Sequence, residues 1–218
     1  MLQNGEIRGL VFDCYKTLID IKTKEESHST NEAVSNWLRY QGVSISAQDF
    51  RDEYVAKVMY RINHSEHEHP EIRVEEIFSE ICRENAIWEI DDYWLGIETA
   101  KVFRNASVRR MRAYPESIRL LEKYRHMPKC IVSNGQRVFS EQELKYLGLF
   151  DHFDHVIFSS DYGYKKPDTR LFHEALNRLG CAPGEVVSIG DTPRNDIHAP
   201  QSIGMKAIHV HDAWKHHS

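Results

Sequence analysis

The sequence predicts an α/β fold, a doubly wound parallel sheet of the Rossmann-like kind with an all-helical domain inserted after the first strand. Three observations predict it. Short apolar runs alternate with amphipathic helical segments from Tyr114 to the end of the chain. A further apolar run, Leu10–Phe12, lies alone near the N-terminus and has the character of a buried parallel strand. The segment between them has helical apolar spacing almost throughout.

Four helices are predicted in the inserted segment. The first has Ser29 or Thr30 as its N-cap and Gly42 at its end, which are the residue types that usually hold these positions. Their apolar stripes and short connections are typical of a compact helical bundle, with the aromatic residues in its core. We expect the remaining three helices over residues 47–62, around residues 74–81 and from about residue 91.

The second half of the chain repeats a helix and a strand four times. The predicted helices span residues 115–124, 139–146, 169–179 and 194–203. The predicted strands span residues 129–132, 155–158, 186–189 and 207–210. We therefore assign residues 1–20 and 108–218 to an α/β core domain and residues 21–107 to a helical domain.

Composition narrows the classes of partner. A net charge of -5 gives no electrostatic basis for binding nucleic acid or an anionic membrane. We find no apolar run of membrane-spanning length and no apolar signal core at the N-terminus, so we expect a cytoplasmic protein. The oligomeric state stays open. The four cysteines have no paired spacing and are expected as free thiols: Cys14, Cys82, Cys130 and Cys181.

Histidines form two clusters, in the segment HSEHEHP and at the C-terminus. Such clusters can bind metals, but neither has the spacing of a zinc site on a rigid element. We expect a solvated loop and a solvated tail, with Trp214 and the tail docked on the edge of the sheet. The histidines concerned are His64, His67, His69, His209, His211, His216 and His217.

Polar residues follow three of the predicted strands where each strand ends. Asp13 follows the first strand, Ser133–Gly135 a later one, and Asp191 and Asp196 the strand VVSIG. The carboxyl ends of parallel strands lie at one edge of the sheet, so these carboxylates are expected to meet there. Such a cluster requires a cation, and oxygen ligands favour Mg²⁺. Lys166 and the Ser/Asn pair add donors for an anion, which suits nucleophilic displacement at phosphorus.

Four segments, in this order, resemble the motifs of the haloacid dehalogenase (HAD) superfamily. FDCYKTL resembles the first motif, IVSNG the second, YKKPD the third and GDTPRND the fourth. The helical domain resembles the cap that subfamily I of these enzymes inserts after the first strand. The resemblance implies a hydrolase that acts on a small molecule.

The same resemblance implies a role for each matching residue. Asp13 would be the nucleophile that forms a covalent aspartyl intermediate, and Lys166, rather than Lys165, would pair with it. Thr17 would hold the first-motif loop. The residues implied to contact substrate are Thr17, Ser133, Asn134 and Gly135. The implied ligands of Mg²⁺ are the carboxylates of Asp13, Asp191 and Asp196 and the backbone carbonyl of Tyr15.

Tyr15 departs from the phosphatase pattern, which has an aspartate acid–base residue at that position. A phenol is a poor base near neutral pH, and acid–base help is worth about 10²–10⁴-fold in rate. The 2-haloacid dehalogenases of the family have a tyrosine there, but they use no metal. They also have a tyrosine where this chain has Phe172 and a glycine where it has Lys16.

We expect Mg²⁺-dependent hydrolysis of a small phosphorylated metabolite, with Asp13, Lys166 and Tyr15 as the catalytic residues. A phosphatase without the aspartate would retain its metal and its lysine, and a good leaving group needs no acid. One alternative is carbon–halogen hydrolysis of the 2-haloacid dehalogenase type. The other is a protein of this fold with weak or absent turnover that acts by binding.

Overall fold

The structure, a computed structural model, describes residues 7–217, except for the side chain of residue 217. The chain forms two compact units. One contains the residues up to Ile21 and those from Met111 onward, and the other contains Lys22–Arg110. The assignment of a cap function to the helical unit stays a prediction. In the described part of the chain, no helix is both long and apolar enough to cross a bilayer.

Five parallel strands form the sheet that the sequence predicts. The strands of the structure are β1 Gly9–Phe12, β2 Ile19–Thr23, β3 Val108–Ala113, β4 Lys129–Ser133, β5 His155–Phe158, β6 Val186–Gly190 and β7 Lys206–His209. The main sheet has the order β5-β4-β1-β6-β7. Because β1 lies at its centre, Phe12 pairs with Ile131 on one side and with Ile189 on the other. The doubly wound parallel fold is therefore confirmed.

Helices cover both faces of the sheet. The helices are α1 His28–Tyr40, α2 Ala47–Asn63, α3 Val74–Glu84, α4 Asp92–Ser107, α5 Pro115–Lys123, α6 Arg137–Tyr146, α7 Arg170–Leu179, α8 Ala199–Ser202 and α9 Val210–His217. Successive residues of β1 point to opposite faces. Leu10 and Phe12 therefore join one buried cluster, and Val11 joins another with Phe172 of α7. All four residues of β1 are buried, as expected for a central parallel strand.

Two predictions at the C-terminal end were wrong. Residues 194–203 do not form one α-helix: a π-helical segment, Pro193–His198, precedes the short α8. Pro200 has no N–H to donate to the fourth preceding carbonyl, which breaks the α-helical pattern there. The C-terminal segment was expected as a solvated tail, but it forms the helix α9. The burial of Val210 and Ala213 stabilises this helix. The indole of Trp214 donates to Ser117 Oγ at 2.8 Å, which attaches α9 to α5.

The two-stranded sheet of β2 and β3 was missed from the sequence. Both strands mix apolar with charged residues and lack the continuous apolar run of the main-sheet strands, and β3 contains no buried residue. The chain leaves the α/β unit along β2 and returns along β3.

The helical unit contains the four expected helices around an aromatic core. Phe50 and Phe78 stack with ring centroids 5.5 Å apart, and Phe103 lies 5.4 Å from Phe78. The predicted N-cap of α1 was wrong, whereas Gly42 marks its end as predicted. Its N-cap is Ser27, whose Oγ accepts from the Thr30 N–H, and it ends before Gly42.

Candidate active site

Asp13 lies directly after the central strand of the sheet. Its N–H donates to the carbonyl of Ile189 in β6 at 2.9 Å, which continues the parallel ladder by one residue. The neighbours of β1 are β4 on one side and β6 on the other. Ligands of open α/β sheets bind at the carboxyl ends of strands where the connections diverge in this way. Asp13 therefore occupies the topological switch point of the fold.

Lys166, in the third motif, contacts each of the other three motifs. Its Nζ donates to Asp13 Oδ1 at 2.8 Å, to Asp196 Oδ1 at 2.7 Å and to the carbonyl of Val132 at 2.7 Å. An ammonium group has three protons, so these three acceptors use all of them. The Lys166 side chain is only 2% exposed. The lysine therefore holds the nucleophile candidate at a fixed position relative to Asp196 and β4.

The electrostatics of this pair result from burial and from its neighbours. Burial raises the pKa of Asp13 to about 6, and Asp196 and Asp191 act in the same direction, while Lys166 opposes them. Burial alone would lower the pKa of Lys166, but the carboxylates of Asp13 and Asp196 raise it above its ordinary value. At pH 7 the pair is therefore an ammonium group and a carboxylate.

Three carboxylates converge beside this lysine. Ligand atoms of Asp13, Asp191 and Asp196 all lie within 4.8 Å of one another, the only such group found among residues 7–217 that could hold a metal ion. One ammonium cannot balance three carboxylates, so the cluster has an excess of negative charge. Hard oxygen donors of this kind fit Mg²⁺ or a similar divalent cation. The residues present therefore fit a metal.

Local backbone geometry positions Asp196. Asp196 belongs to the π-helical segment, and its Oδ2 accepts the N–H of Thr192, the residue that precedes this segment, at 2.9 Å. Gly190 at the end of β6 packs directly against it: a Cβ added there would lie 2.4 Å from the Asp196 Cβ. Only glycine fits without displacing that carboxylate. Short π-helical segments occur often at functional sites.

Ser133 and Asn134, the two polar side chains of the second motif, differ in their hydrogen bonding. The Oγ of Ser133 is buried and has no hydrogen-bond partner. A buried hydroxyl without a hydrogen bond costs free energy unless a ligand or water forms one with it. The Ser133 hydroxyl is therefore a suitable donor for a bound anion. Asn134, by contrast, uses both ends of its amide on the backbone of Lys166: Nδ2 donates to the carbonyl at 3.0 Å, and Oδ1 accepts the N–H at 2.7 Å. The structure therefore places Asn134 as a support for the lysine.

Gly135 and Thr17 lie in tightly packed positions. A Cβ on Gly135 would lie 2.5 Å from Ser140 Oγ and 3.1 Å from Ser133 Oγ. Thr17 is fully buried, and its Oγ1 also lacks a partner. Its carbonyl accepts a hydrogen bond from Ser117 Oγ at 2.6 Å, which fixes the first-motif loop to α5. That loop turns at Lys16, which has a left-handed φ of 60°.

Tyr15 does not direct its hydroxyl to the carboxylate cluster but to α6. The phenol donates to Glu143 Oε2 at 2.6 Å and shares a hydrogen bond with Ser140 Oγ at 2.8 Å. Ser140 and Glu143 were missed from the sequence because they follow no strand. The signal that could have found them is helical spacing, since both lie beside the buried Phe139 and Leu144 on α6.

His209 was expected in a solvated tail but is half-buried at the end of β7. Its Nε2 lies 3.0 Å from the backbone carbonyl of Asp191. The ring therefore supports the loop that carries a candidate metal ligand. The histidines of the segment HSEHEHP do not belong to the group of possible metal ligands described above.

The chain matches a known protein family over most of its length. The sequence model described as haloacid dehalogenase-like hydrolase matches residues 7–204. The chain is 35% identical over 104 residues to phosphoserine phosphatase from Thermus thermophilus, covering 47% of this chain and 42% of that protein. It is 25% identical over 206 residues to glyceraldehyde 3-phosphate phosphatase from Pyrococcus furiosus, covering 93% and 80%. The chain spans less than half the length of several curated relatives that it matches, including the Thermus protein.

Solved structures share the fold over most of the chain. A HAD phosphatase from Thermococcus onnurineus has a TM-score of 0.59 at 25% identity, covering 92% of this chain and 85% of that chain. A 2-haloacid dehalogenase from Pseudomonas syringae has a TM-score of 0.65 at 23% identity with the same coverage, and this likeness shows the fold alone. Given the four motifs, the parallel sheet and a family match over residues 7–204, the chain belongs to the haloacid dehalogenase-like hydrolases.

Proposed function

We propose that the protein hydrolyses a small phosphorylated molecule with the help of Mg²⁺, and that Asp13 is the nucleophile. One observation carries the proposal: Lys166 holds Asp13 beside two further carboxylates. A 2-haloacid dehalogenase needs no metal ligands at these positions. The phosphatase names of the Thermus and Pyrococcus relatives support the same chemistry.

In the proposed reaction, an Asp13 carboxylate oxygen attacks phosphorus. A bond forms between that oxygen and phosphorus, and the bond from phosphorus to the leaving oxygen breaks with its electron pair on the leaving group. Lys166, already in contact with Asp13, holds the attacking oxygen in place and opposes negative charge on the transferred group. Water then attacks phosphorus of the aspartyl phosphate: the bond from phosphorus to the Asp13 oxygen breaks with its electron pair on the restored carboxylate, the water loses a proton to solvent, and phosphate is released.

The carboxylates of Asp13, Asp191 and Asp196 would hold the metal, with the backbone carbonyl of Tyr15 as a further ligand. When bound, the cation neutralises the excess charge of the cluster and supplies electrostatic stabilisation to the phosphoryl oxygens. Ser133 Oγ would donate to one of those oxygens, which would complete its hydrogen bonding. Gly135 and Thr17 would shape the same part of the site.

We further propose that the substrate is a small molecule and that the protein works in the cytoplasm. The four cysteines are free thiols, which supports a reducing compartment. The net charge of -5 supports neither nucleic acid nor anionic lipid as the partner.

The test is hydrolysis of p-nitrophenyl phosphate and of 2-chloropropionate, each with Mg²⁺ and with EDTA. We expect phosphate release that EDTA abolishes and that Asp13→Asn lacks. Chloride release that is insensitive to EDTA would instead identify the dehalogenase chemistry that Tyr15 favours. If neither product forms, and neither Mg²⁺ nor beryllofluoride, a mimic of the aspartyl phosphate, raises the melting temperature, the protein acts by binding.

A further inference from the structure

The half-buried Tyr15 and the buried Ser140 and Glu143 form a polar cluster beside the second motif. Tyr15 stands where a phosphatase of this family would have its acid–base aspartate, and its ring lies against Gly135. Ser140 is fully buried and Glu143 is only 5% exposed. A carboxylate and a hydroxyl buried on the apolar side of a helix cost free energy unless they make hydrogen bonds. Ser140 and Glu143 each form a hydrogen bond with the Tyr15 hydroxyl.

The hydrogen bonds fix the direction of the phenolic proton. A carboxylate only accepts, so Tyr15 donates its single proton to Glu143 Oε2 at 2.6 Å. The phenolic oxygen is then the acceptor for the Ser140 hydroxyl at 2.8 Å. The short distance to Glu143 is typical of a charge-assisted hydrogen bond, which is stronger than a neutral one. Protonation of a leaving group by Tyr15 would require breaking this bond.

We infer that Ser140 and Glu143 are positioning residues that hold the Tyr15 hydroxyl on α6, so that the leaving group receives no proton from the first motif. The inference rests on the proposed function and specifies its substrate class. It replaces the catalytic role that the sequence predicts for the Tyr15 side chain. The substrates are phosphoryl donors whose leaving groups depart as stable anions, namely acyl phosphates and aryl phosphates.

The chemistry of such substrates balances without an acid. The bond from phosphorus to the leaving oxygen breaks with its electron pair on that oxygen, which leaves as a carboxylate or a phenolate. An alkyl phosphate would instead release a strongly basic alkoxide, and its hydrolysis would lose the factor of about 10²–10⁴ that general acid–base catalysis supplies. The site therefore selects by the basicity of the leaving group.

The first experiment compares kcat/KM for acetyl phosphate, p-nitrophenyl phosphate and glycerol 2-phosphate in the presence of Mg²⁺. We expect the first two to react at least about 100-fold faster than the third, the scale of a missing acid. Tyr15→Phe should change all three rates by one common factor, because no leaving group depends on the phenolic proton. Tyr15→Asp should selectively raise glycerol 2-phosphate hydrolysis. A selective loss of that activity in Tyr15→Phe would show that Tyr15 is the acid and overturn the inference.

The second experiment tests the positioning itself and needs no turnover. Tyr15→Phe and Glu143→Met should each lower the melting temperature, and the double variant should be little worse than either one, since both changes remove the hydrogen bond between Tyr15 and Glu143. Tyr146→Phe is the matched control on α6, because its side chain is 78% exposed. Additive shifts would overturn the positioning role.

The two experiments distinguish the possible failures. Inactivity toward every phosphate, with non-additive melting shifts, would overturn the proposed function and the substrate class while upholding the contact. Activity with equal rates on all three substrates would uphold the proposed function and overturn the inference.

Discussion

Replacing Asp13 by asparagine is expected to abolish hydrolysis and, at the same time, to stabilise the metal-free protein near neutral pH. An amide oxygen can still accept from Lys166 Nζ, so the local geometry can persist. The variant, however, cannot form the covalent intermediate. The substitution also removes one of the three carboxylates of the cluster beside Lys166.

The size of the stabilisation follows from the pKa of Asp13. Burial raises this pKa from 3.8 to about 6, so the folded protein binds the proton more tightly than the unfolded chain does. The carboxylate therefore lowers stability as the pH rises from about 4 to about 6, and its full cost is present above that range. At about 1.4 kcal/mol per pH unit, this cost is ~3 kcal/mol. For a domain of this size it corresponds to a melting temperature about 6 °C or more below that of the variant.

The assay is thermal unfolding of wild type and Asp13→Asn in EDTA near pH 4 and near pH 7.5. The gain should be small at the lower pH and complete at the higher one. Saturating Mg²⁺ should shrink it, because the cation neutralises the wild-type cluster. Asp151→Asn, which changes an exposed aspartate of the same unit, is the control and should show no gain. A destabilised Asp13→Asn at pH 7.5 in EDTA would mean that the ion pair with Lys166 outweighs burial, and the reasoning would be wrong.

Four further changes test other parts of the structure. Lys166→Met leaves buried carboxylates without their ammonium partner and should lower the unfolding free energy by about 3–5 kcal/mol in urea titrations; a neutral effect would contradict the geometry. Mg²⁺ should raise the melting temperature of wild type, because a ligand at 100 times its Kd stabilises the folded state by ~2.7 kcal/mol. Asp191→Asn should lose this rise. Gly190→Ala should lose it too, since its Cβ displaces Asp196; a retained rise would refute that displacement. Phe78→Ala should cost the helical unit about 3–5 kcal/mol, measured by circular dichroism, because it opens a cavity in the aromatic core.

The main sheet could be predicted because its information is local. Each of its strands is a short apolar run between helical segments, and the structure has strands at all five predicted places. Strands β2 and β3 were missed for the same reason, since they lack such a run. The π-helical segment and α9 depend on a proline and on packing against α5, respectively, which periodicity alone does not reveal.

The sequence predicts the part of the candidate site whose residues come directly after strands. Asp13, Asp191 and Asp196 come together because parallel strands end at one edge, and this follows from the order of the elements. The partners of the other side chains do not follow from it. Lys166 lies 153 residues from Asp13 in the sequence, and Tyr15 lies 128 residues from Glu143. Only the folded chain shows which acceptors these groups reach.

The sequence by itself therefore determined the parallel α/β core, the family motifs and the residue types of an anionic, metal-accepting site. Apolar periodicity and strand ends are local features, and they specify which groups the sheet brings to its edge. The tertiary structure decided how those groups are used: Asn134 supports Lys166, His209 supports the loop of Asp191, and Tyr15 donates to Glu143. The physical reason is that the direction of a hydrogen bond depends on side-chain packing between distant segments, which no local pattern encodes.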